Sequence, residues 1–206
     1  MTLNEARQLL DAFLEGVVST LGFQHIGCLE YARQANEATA LLSWPCRLDP
    51  RGFAAFTCGV GLHFESLAKW LSDGPKRMTA TLGTPIHFLR ANKSFAEWKF
   101  SGADDLEGQR GPILDDLSNL ALPFVERYSK LSEVRKAVES SIPKDWINLG
   151  LDQDRRVNVL AAIQLIRGDK PSALKILDDA LAERKTASPK RRFEIEDLRK
   201  RLVEAG

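Results

Sequence analysis

The clearest hydrophobic pattern in the chain lies at residues 52–64, GFAAFTCGVGLHF, where apolar side chains occupy every second position. One face of this segment carries bulky residues: Phe56, Cys58, Val60, Leu62 and Phe64. The other face, called here the low-relief face, carries small or weakly polar residues: Ala55, Thr57, Gly59, Gly61 and His63. Because a period of two is typical of a β-strand, we predict one strand over this range. Its bulky face should be buried, and its low-relief face is either covered by later helices or open to a ligand.

The N-terminal segment has the pattern of an amphipathic helix, which we predict over residues 3–21. Its apolar stripe repeats at helical spacing: Ala6, Leu9, Leu10, Phe13, Val17 and Leu21. Thr2 and Glu5 have the spacing of a capping box, and Gly22 is suited to end the helix. We expect the apolar stripe to pack against the bulky face of the 52–64 strand.

Two more strands are predicted before residue 52, over residues 23–33 and 38–47, joined by a short turn. Trp44-Pro45 indicates a bulge or an edge position in the second of them, because proline cannot donate to a strand ladder. The sequence LDPRG at 48–52 has the composition of a turn into the next strand. Together these segments predict an antiparallel meander.

After a short helix over residues 65–72, the pattern becomes harder to interpret. Three segments resemble strands, at residues 79–82, 86–90 and 95–100, and they predict one or two further strands. The expected fold class is therefore α+β, with a mostly antiparallel sheet of four to five strands packed by the N-terminal helix, and a helical C-terminal half.

Beyond Gly102 the chain is richer in charged residues, as expected for amphipathic helices. The predicted helices span residues 111–127, 131–140 and 188–205, together with a helical hairpin over 154–184. Asp104, Asp105 and Glu107 are expected in a polar loop before the first of them, and Pro123 should kink or interrupt that helix. We divide the chain into an α+β domain, residues 1–141, and a C-terminal helical extension, residues 142–206.

The 154–184 hairpin resembles a single tetratricopeptide unit, because Gly168-Asp169 forms the turn and the small residues Ala173 and Ala180 stand seven apart. In that family, tandem units form a groove for a peptide. Only one copy is found here, whereas about three are needed for a free-standing array, so a hairpin that caps the α+β core is the favoured interpretation. The terminal helix has four apolar anchors: Phe193, Ile195, Leu198 and Leu202.

Composition narrows the possible partners. The 206 residues are 44% hydrophobic and 28% charged, with a net charge of +1, which gives no electrostatic case for nucleic acid or an anionic membrane. The chain has no apolar run of about 20 residues and no pattern of a signal peptide. Cys28, Cys46 and Cys58 form no CxxC motif, so we expect free thiols and a cytoplasmic location.

Candidate chemistry is sparse. A cysteine hydrolase needs a base within reach of the thiol, but Cys58 and His63 alternate onto opposite faces of one strand, as do Cys28 and His25. The sequence has no metal-ligand motif, so no metal and no cofactor are expected. Gly59-Val60-Gly61 lacks the further glycine and lysine of a phosphate loop, and indicates instead a flat place where another chain segment lies close.

An order of short motifs over residues 6–140 gives a family resemblance. A helix ends in Leu21-Gly22-Phe23, a strand meander ends in Gly59-Val60-Gly61, Glu97-Trp98 follows, and a later helix reaches Leu122-Pro123-Phe124. In this order the chain resembles an uncharacterised bacterial family of domains of unknown function, some members of which are associated with polymorphic-toxin immunity. The resemblance implies a non-enzymatic protein that binds a protein partner, and it supplies no catalytic residues.

We therefore expect a non-enzymatic protein-interaction protein of immunity type. The alternative is a small-molecule or peptide-binding module with Thr57, His63 and Trp98 as its binding residues, and a cysteine-dependent hydrolase is the third hypothesis. A partly polar pocket on the low-relief face would favour the binding module.

Overall fold

The computed structural model of the protein describes residues 1–71, 78–92, 94–95, 97–183 and 189–204, and it confirms the predicted α+β class. The strands are β1 (Gln24–Gly27), β2 (Glu30–Ala35), β3 (Ala38–Ser43), β4 (Cys46–Leu48), β5 (Ala54–Phe56), β6 (Gly59–His63), β7 (Leu82–Pro85) and β8 (Trp98–Phe100). The helices are α1 (Leu3–Val18), α2 (Glu65–Leu71), α3 (Ala103–Asp116), α4 (Leu122–Tyr128), α5 (Leu131–Glu139), α6 (Pro143–Ile147), α7 (Gln153–Ile166), α8 (Lys170–Glu183) and α9 (Pro189–Glu204). The predicted helix ends at Ser72, Arg184, Ser188 and Ala205 lie outside the described residues.

These strands form two antiparallel sheets, a five-stranded one in the order β1-β2-β3-β6-β7 and a three-stranded one in the order β4-β5-β8. The predicted single strand over 52–64 is wrong, because β5 and β6 belong to different sheets. The break is explained by Pro45, which lies opposite it in the neighbouring segment. Pro45 has no N–H to continue the ladder, and its carbonyl instead accepts the N–H of Thr57, 3.2 Å away.

The pairing register nevertheless continues through this corner. Ser43 pairs with Gly59 on one side of it, and Cys46 pairs with Phe56 on the other. The segments 38–48 and 54–63 therefore form one long hairpin that is bent at Trp44-Pro45. Alternation also survives the bend, because all five bulky residues of 52–64 are buried, each at most 2% exposed.

Three other expectations need correction. The predicted 23–33 strand is two strands, β1 and β2, with a tight turn at Leu29, whose φ is 56°. The predicted strand over 86–90 is a 3-10 helix, Ile86–Leu89, which begins directly after Pro85. The predicted polar loop at Asp104, Asp105 and Glu107 lies in the first turns of α3, where acidic side chains interact favourably with the helix dipole.

The regular α-helix is interrupted directly before Pro123, as predicted. Between α3 and α4 the chain forms a π-helical turn, Leu117–Ala121, with Pro123 at the start of α4. A π-helical turn replaces the regular hydrogen bonds of the α-helix locally. The helix can therefore continue through this region although Pro123 has no N–H to donate.

Helix α1 begins with the predicted capping box. The Thr2 N–H donates to Glu5 Oε2 at 2.7 Å, and the Glu5 N–H donates to Thr2 Oγ1 at 3.3 Å. The helix buries five residues: Ala6, Leu10, Leu14, Val17 and Val18. It packs against α3, β4 and β1, whereas α4 packs against β6. The expectation that α1 packs against the 52–64 segment therefore needs correction, because α1 lies mainly against the β4 arm of the bent hairpin and α4 is the helix that packs against β6.

The C-terminal half is helical, as predicted, with α7 and α8 forming the hairpin. A small apolar cluster joins α7, α8 and α9: Ala161, Ala173, Leu177, Ala180, Ile195, Leu198 and Leu202. The prediction that Phe193 anchors α9 is wrong, because its side chain is 67% exposed. Leu149, Leu151 and Val159 belong to the large core that also contains the sheets. None of the helices in the described ranges is long and apolar enough to cross a membrane.

The β1–β2 turn is held by Asp11 of α1. Its carboxylate Oδ1 accepts the Leu29 N–H at 3.1 Å and the hydroxyl of the buried Tyr31 at 2.6 Å. Burial, with this hydrogen bond and the charge of Asp11, raises the pKa of Tyr31 above its ordinary value of 10.0. The folded protein therefore keeps the phenol protonated at a pH where the unfolded chain ionises.

We expect Tyr31→Phe to lower the free energy of unfolding by about 1.5 to 3 kcal/mol at pH 8, the usual range for a hydrogen bond to a charged group. Because the folded pKa is raised, the contribution of Tyr31 is complete below pH 10 and falls as the pH rises above it. Urea unfolding at pH 8 and pH 11 should show the gap between wild type and variant shrinking. An equal gap at both values would contradict this account.

Candidate functional site

The low-relief face extends across four neighbouring strands of the five-stranded sheet. One row of paired residues runs Glu30, Ser43, Gly59 and Pro85, from β2 to β7. The next row runs Ala32, Leu41, Gly61 and Gly83. In these two rows, β6 and β7 contribute only Gly59, Gly61, Gly83 and Pro85, so the backbone itself forms most of the surface there.

Glycine is required at the pair Gly61 and Gly83 because Ala80, just before β7, and the backbone of the paired strand lie too close to admit a side chain. A Cβ added to Gly61 would overlap the Cβ of Ala80, and one added to Gly83 would lie 2.9 Å from the carbonyl oxygen of Val60. In the row of Ser43 and Gly59, a Cβ on Gly59 would lie 2.8 Å from the Ser43 hydroxyl. The small residues thus admit close neighbours on this side of the sheet.

A cavity of about 460 Å³ lies on this face. Its floor is formed by Leu41, Ser43, Gly59 and Gly61, and one wall by the segment from Met78 to Ala80. Ile26 and Met78 line it as well, although their side chains are 46% and 45% exposed. We call this cavity the sheet-face pocket. The undecided face of the sequence pattern is therefore partly open at Thr57 and Gly59, and covered at Ala55 and Gly61.

The second wall comes from the C-terminal half of the chain. The N–H of Gly83 in the edge strand β7 donates to the carbonyl of Leu149 at 3.1 Å. Gly150 follows with a φ of 71°, and Arg155 Nη2 donates to the carbonyl of Thr81 at 3.0 Å. Leu149, Gly150 and Arg155 all line the sheet-face pocket. The loop between α6 and α7 thus docks on the sheet and completes the site.

The three predicted binding residues lie in different places. Thr57 is half-buried and lines the sheet-face pocket. His63 lies at the end of β6, where its Nδ1 donates to the carbonyl of Thr79 at 2.8 Å, so it supports the Met78–Ala80 wall. Trp98 is buried in an aromatic cluster with Trp44 and Phe56. The structure therefore does not bring the three residues together, and their role in binding stays a prediction.

Several lining residues were not predicted at all. Ser43, Met78 and Arg155 reach the pocket from segments far apart in sequence, and only Gly83 carried a local signal. Gly83 pairs with Gly61 across β6 and β7, and two paired glycines indicate a close approach. The sequence alone did not reveal this pairing. Arg155 and Glu30 place one cationic and one anionic side chain at opposite ends of the pocket.

The cysteine hypothesis is not favoured by the position of Cys58. Cys58 is one of the residues around the sheet-face pocket, but its side chain is 1% exposed and belongs to the core, and its thiol donates to the carbonyl of Gly59 at 3.7 Å. Burial raises the pKa of this thiol well above its ordinary value, which keeps it protonated and weakly nucleophilic. Within the described ranges, no group of three or more His, Cys, Asp or Glu residues could hold a metal ion.

Comparisons of the chain with protein-family models, with curated proteins and with solved structures give no significant match. The family resemblance and the immunity role that it implies therefore stay predictions, and any functional proposal has to be argued from the sheet-face pocket itself.

Proposed function

We propose that this protein is a non-enzymatic binding protein that holds an extended segment of a protein partner in the sheet-face pocket. The observation that carries the proposal is the pocket, an open cavity of about 460 Å³ lined by residues of β2, β3, β6 and β7, by the Met78–Ala80 segment and by Leu149 and Gly150. Its volume falls within the range of about 300 to 1,000 Å³ that is usual for ligand sites.

The chemistry of the lining favours a partner of mixed character. Leu41, Ile26 and Met78 offer apolar surface, and the last two are exposed to a degree that is unusual for large apolar residues of a core. Ser43 and Thr57 add hydroxyl groups that can orient a backbone or a polar side chain. A toxin-immunity role is the form of partner binding that the family resemblance implies.

A small molecule is the second candidate ligand. The three strand spacings between Glu30 on β2 and Pro85 on β7 amount to roughly 14 Å, and Arg155 lies beyond β7. An elongated amphipathic molecule with an anionic end at Arg155 would fit this arrangement, because a guanidinium binds carboxylates and related anions well.

A pair of tryptophan substitutions tests both candidates. Ser43 is exposed and faces the pocket, so Ser43→Trp should fill the cavity without disturbing the core. Gln34 is exposed on the same sheet face but outside the pocket, so Gln34→Trp is the matched control. We expect Ser43→Trp to weaken binding at least tenfold, equivalent to about 1.4 kcal/mol, and Gln34→Trp to leave it unchanged.

Two probes distinguish the ligands. The purified product of the adjacent gene, measured by calorimetry, tests a protein partner, and the fluorescent dye anilinonaphthalene sulfonate, an aromatic anion, tests a small amphipathic ligand. Binding of the gene product that Ser43→Trp abolishes would support the first candidate, and the same result with the dye alone would support the second. Binding of both probes equally well to wild type and Ser43→Trp would contradict the use of this pocket.

A further inference from the structure

Helix α9 has apolar residues on two opposite sides. Ile195, Leu198 and Leu202 face inward and pack in the cluster with α7 and α8. On the outer side, Phe193 and Val203 are 67% and 54% exposed. With Glu196 and Lys200, these two residues follow the spacing 3, 4, 3, which is that of the seam of a coiled coil. The outer side of α9 therefore presents two exposed apolar residues and two opposite charges along one seam.

The charges of this outer seam are self-complementary. Phe193 and Val203 stand five residues on either side of Leu198, and Glu196 and Lys200 stand two residues on either side. In an antiparallel second copy of α9, related by a twofold axis at the level of Leu198, each Glu196 would therefore lie opposite a Lys200. Each Phe193 would lie opposite a Val203 by the same symmetry.

A groove lies beside this seam at the level of Val203. The groove has a volume of about 500 Å³ and runs between α8 and α9, and its apolar part is formed by Leu181 and Val203. Because the twofold axis places Phe193 of the second copy at the level of Val203, that ring reaches this groove. Charged residues frame it, with Arg199 bound to Asp178 at 2.5 Å.

From this arrangement we propose that the protein forms a homodimer through α9, with the two copies antiparallel and Phe193 of each inserted in the α8–α9 groove of the other. The contact is isologous, so the same patch serves both copies and the assembly closes at two. The existing ion pairs along α9, such as Arg192 with Glu196 at 2.7 Å, lie on the surface and contribute little to stability. They can rearrange when Lys200 of the second copy approaches Glu196.

The size of the patch sets the strength of the dimer. Small interfaces, below about 1,200 Å² of total buried surface, are typical of transient complexes. One helix face with one aromatic anchor belongs in that class, so the dimer should dissociate on dilution. Sedimentation velocity of the full chain over a range of concentrations measures this directly.

Charge reversals provide the decisive test. Glu196→Lys and Lys200→Glu each place like charges opposite one another, and each alone should weaken self-association at least tenfold, equivalent to about 1.4 kcal/mol. A one-to-one mixture of the two variants restores opposite charges at both sites, so it should dimerise again. Glu194→Lys, an exposed reversal on a different side of α9, is the control and should leave association unchanged.

Three results would overturn the proposal: a wild-type chain that stays monomeric at every concentration, a dimer that neither reversal weakens, or two variants that fail to associate when mixed. Phe193→Ser is a further check that does not depend on charge, because its side chain is exposed in the monomer and its loss should not affect folding. A dimer that persists in Phe193→Ser would also contradict the interface. None of these outcomes depends on the sheet-face pocket.

Discussion

Replacing Trp98 with alanine is expected to lower the free energy of unfolding by about 3 to 5 kcal/mol, the usual cost of removing a large buried aromatic side chain. Trp98 is 6% exposed, stacks on Phe56 with a centroid distance of 5.5 Å, and lies 5.9 Å from Trp44. These rings fill the corner where the bent hairpin passes between the two sheets. Their removal should leave a cavity that the surrounding strands cannot close. Urea unfolding monitored by circular dichroism measures the effect.

Phe95 offers the matched control for this substitution. It is an aromatic residue of the same segment, but its side chain is 65% exposed, so Phe95→Ala should change the free energy of unfolding by about 0.5 kcal/mol or less. The comparison also separates the two interpretations of Trp98. A residue of a binding surface would lose affinity and keep stability on substitution. A stability loss for Trp98→Ala no larger than that for Phe95→Ala would contradict its place in the core.

Local patterns in the sequence predicted the elements that depend on near neighbours. The capping box at Thr2 and Glu5 and the helical hairpin around Gly168 each rest on residues less than a few turns apart. The burial of Phe56 through Phe64 follows in the same way, because alternation is a property of the strand itself. Such features are encoded locally, and the structure confirms them.

Features that depend on distant segments were not predictable in this way. The break after Phe56 is caused by Pro45, eleven positions earlier, because the two residues meet only once the hairpin has formed. The pocket depends on still longer distances, since Arg155 and Leu149 reach it from beyond the whole α3–α6 region. The sequence indicated which face of the 52–64 segment was small, but not which residues would stand around it.

The bent hairpin explains why core and pocket share one segment. The side chains of Phe56, Cys58 and Val60 are buried in the core, while Thr57, Gly59 and Gly61 line the pocket on the low-relief face. A substitution that shifts the register of this segment would therefore exchange the two faces. On the low-relief face, Ser43 and Thr57 line the open pocket, so their side chains can vary. Gly61 cannot, because Ala80 lies against it.

Gly150→Ala is expected to have a large effect because Gly150 combines backbone strain with close contact. Its φ is 71°, a left-handed conformation that costs an ordinary residue about 1 to 2 kcal/mol. A Cβ at this position would also overlap the carbonyl oxygen of Gly83. The loop should therefore withdraw from β7 and lose the bond from the Gly83 N–H to the Leu149 carbonyl, a further loss of about 0.5 to 1.5 kcal/mol. Urea unfolding gives the total.

Gly168→Ala is the control that isolates the contact from the strain. Gly168 has a similar φ of 81°, but no atom lies within 4 Å of the position that its Cβ would occupy. It should therefore show the conformational cost alone, and Gly150→Ala should exceed it. Amide hydrogen exchange adds a local measurement, because the Gly83 N–H should exchange faster in Gly150→Ala and at the wild-type rate in Gly168→Ala. Equal stability losses, with the Gly83 amide exchanging as fast in the wild type as in both variants, would show that the loop does not dock on β7 and that the pocket lacks this wall.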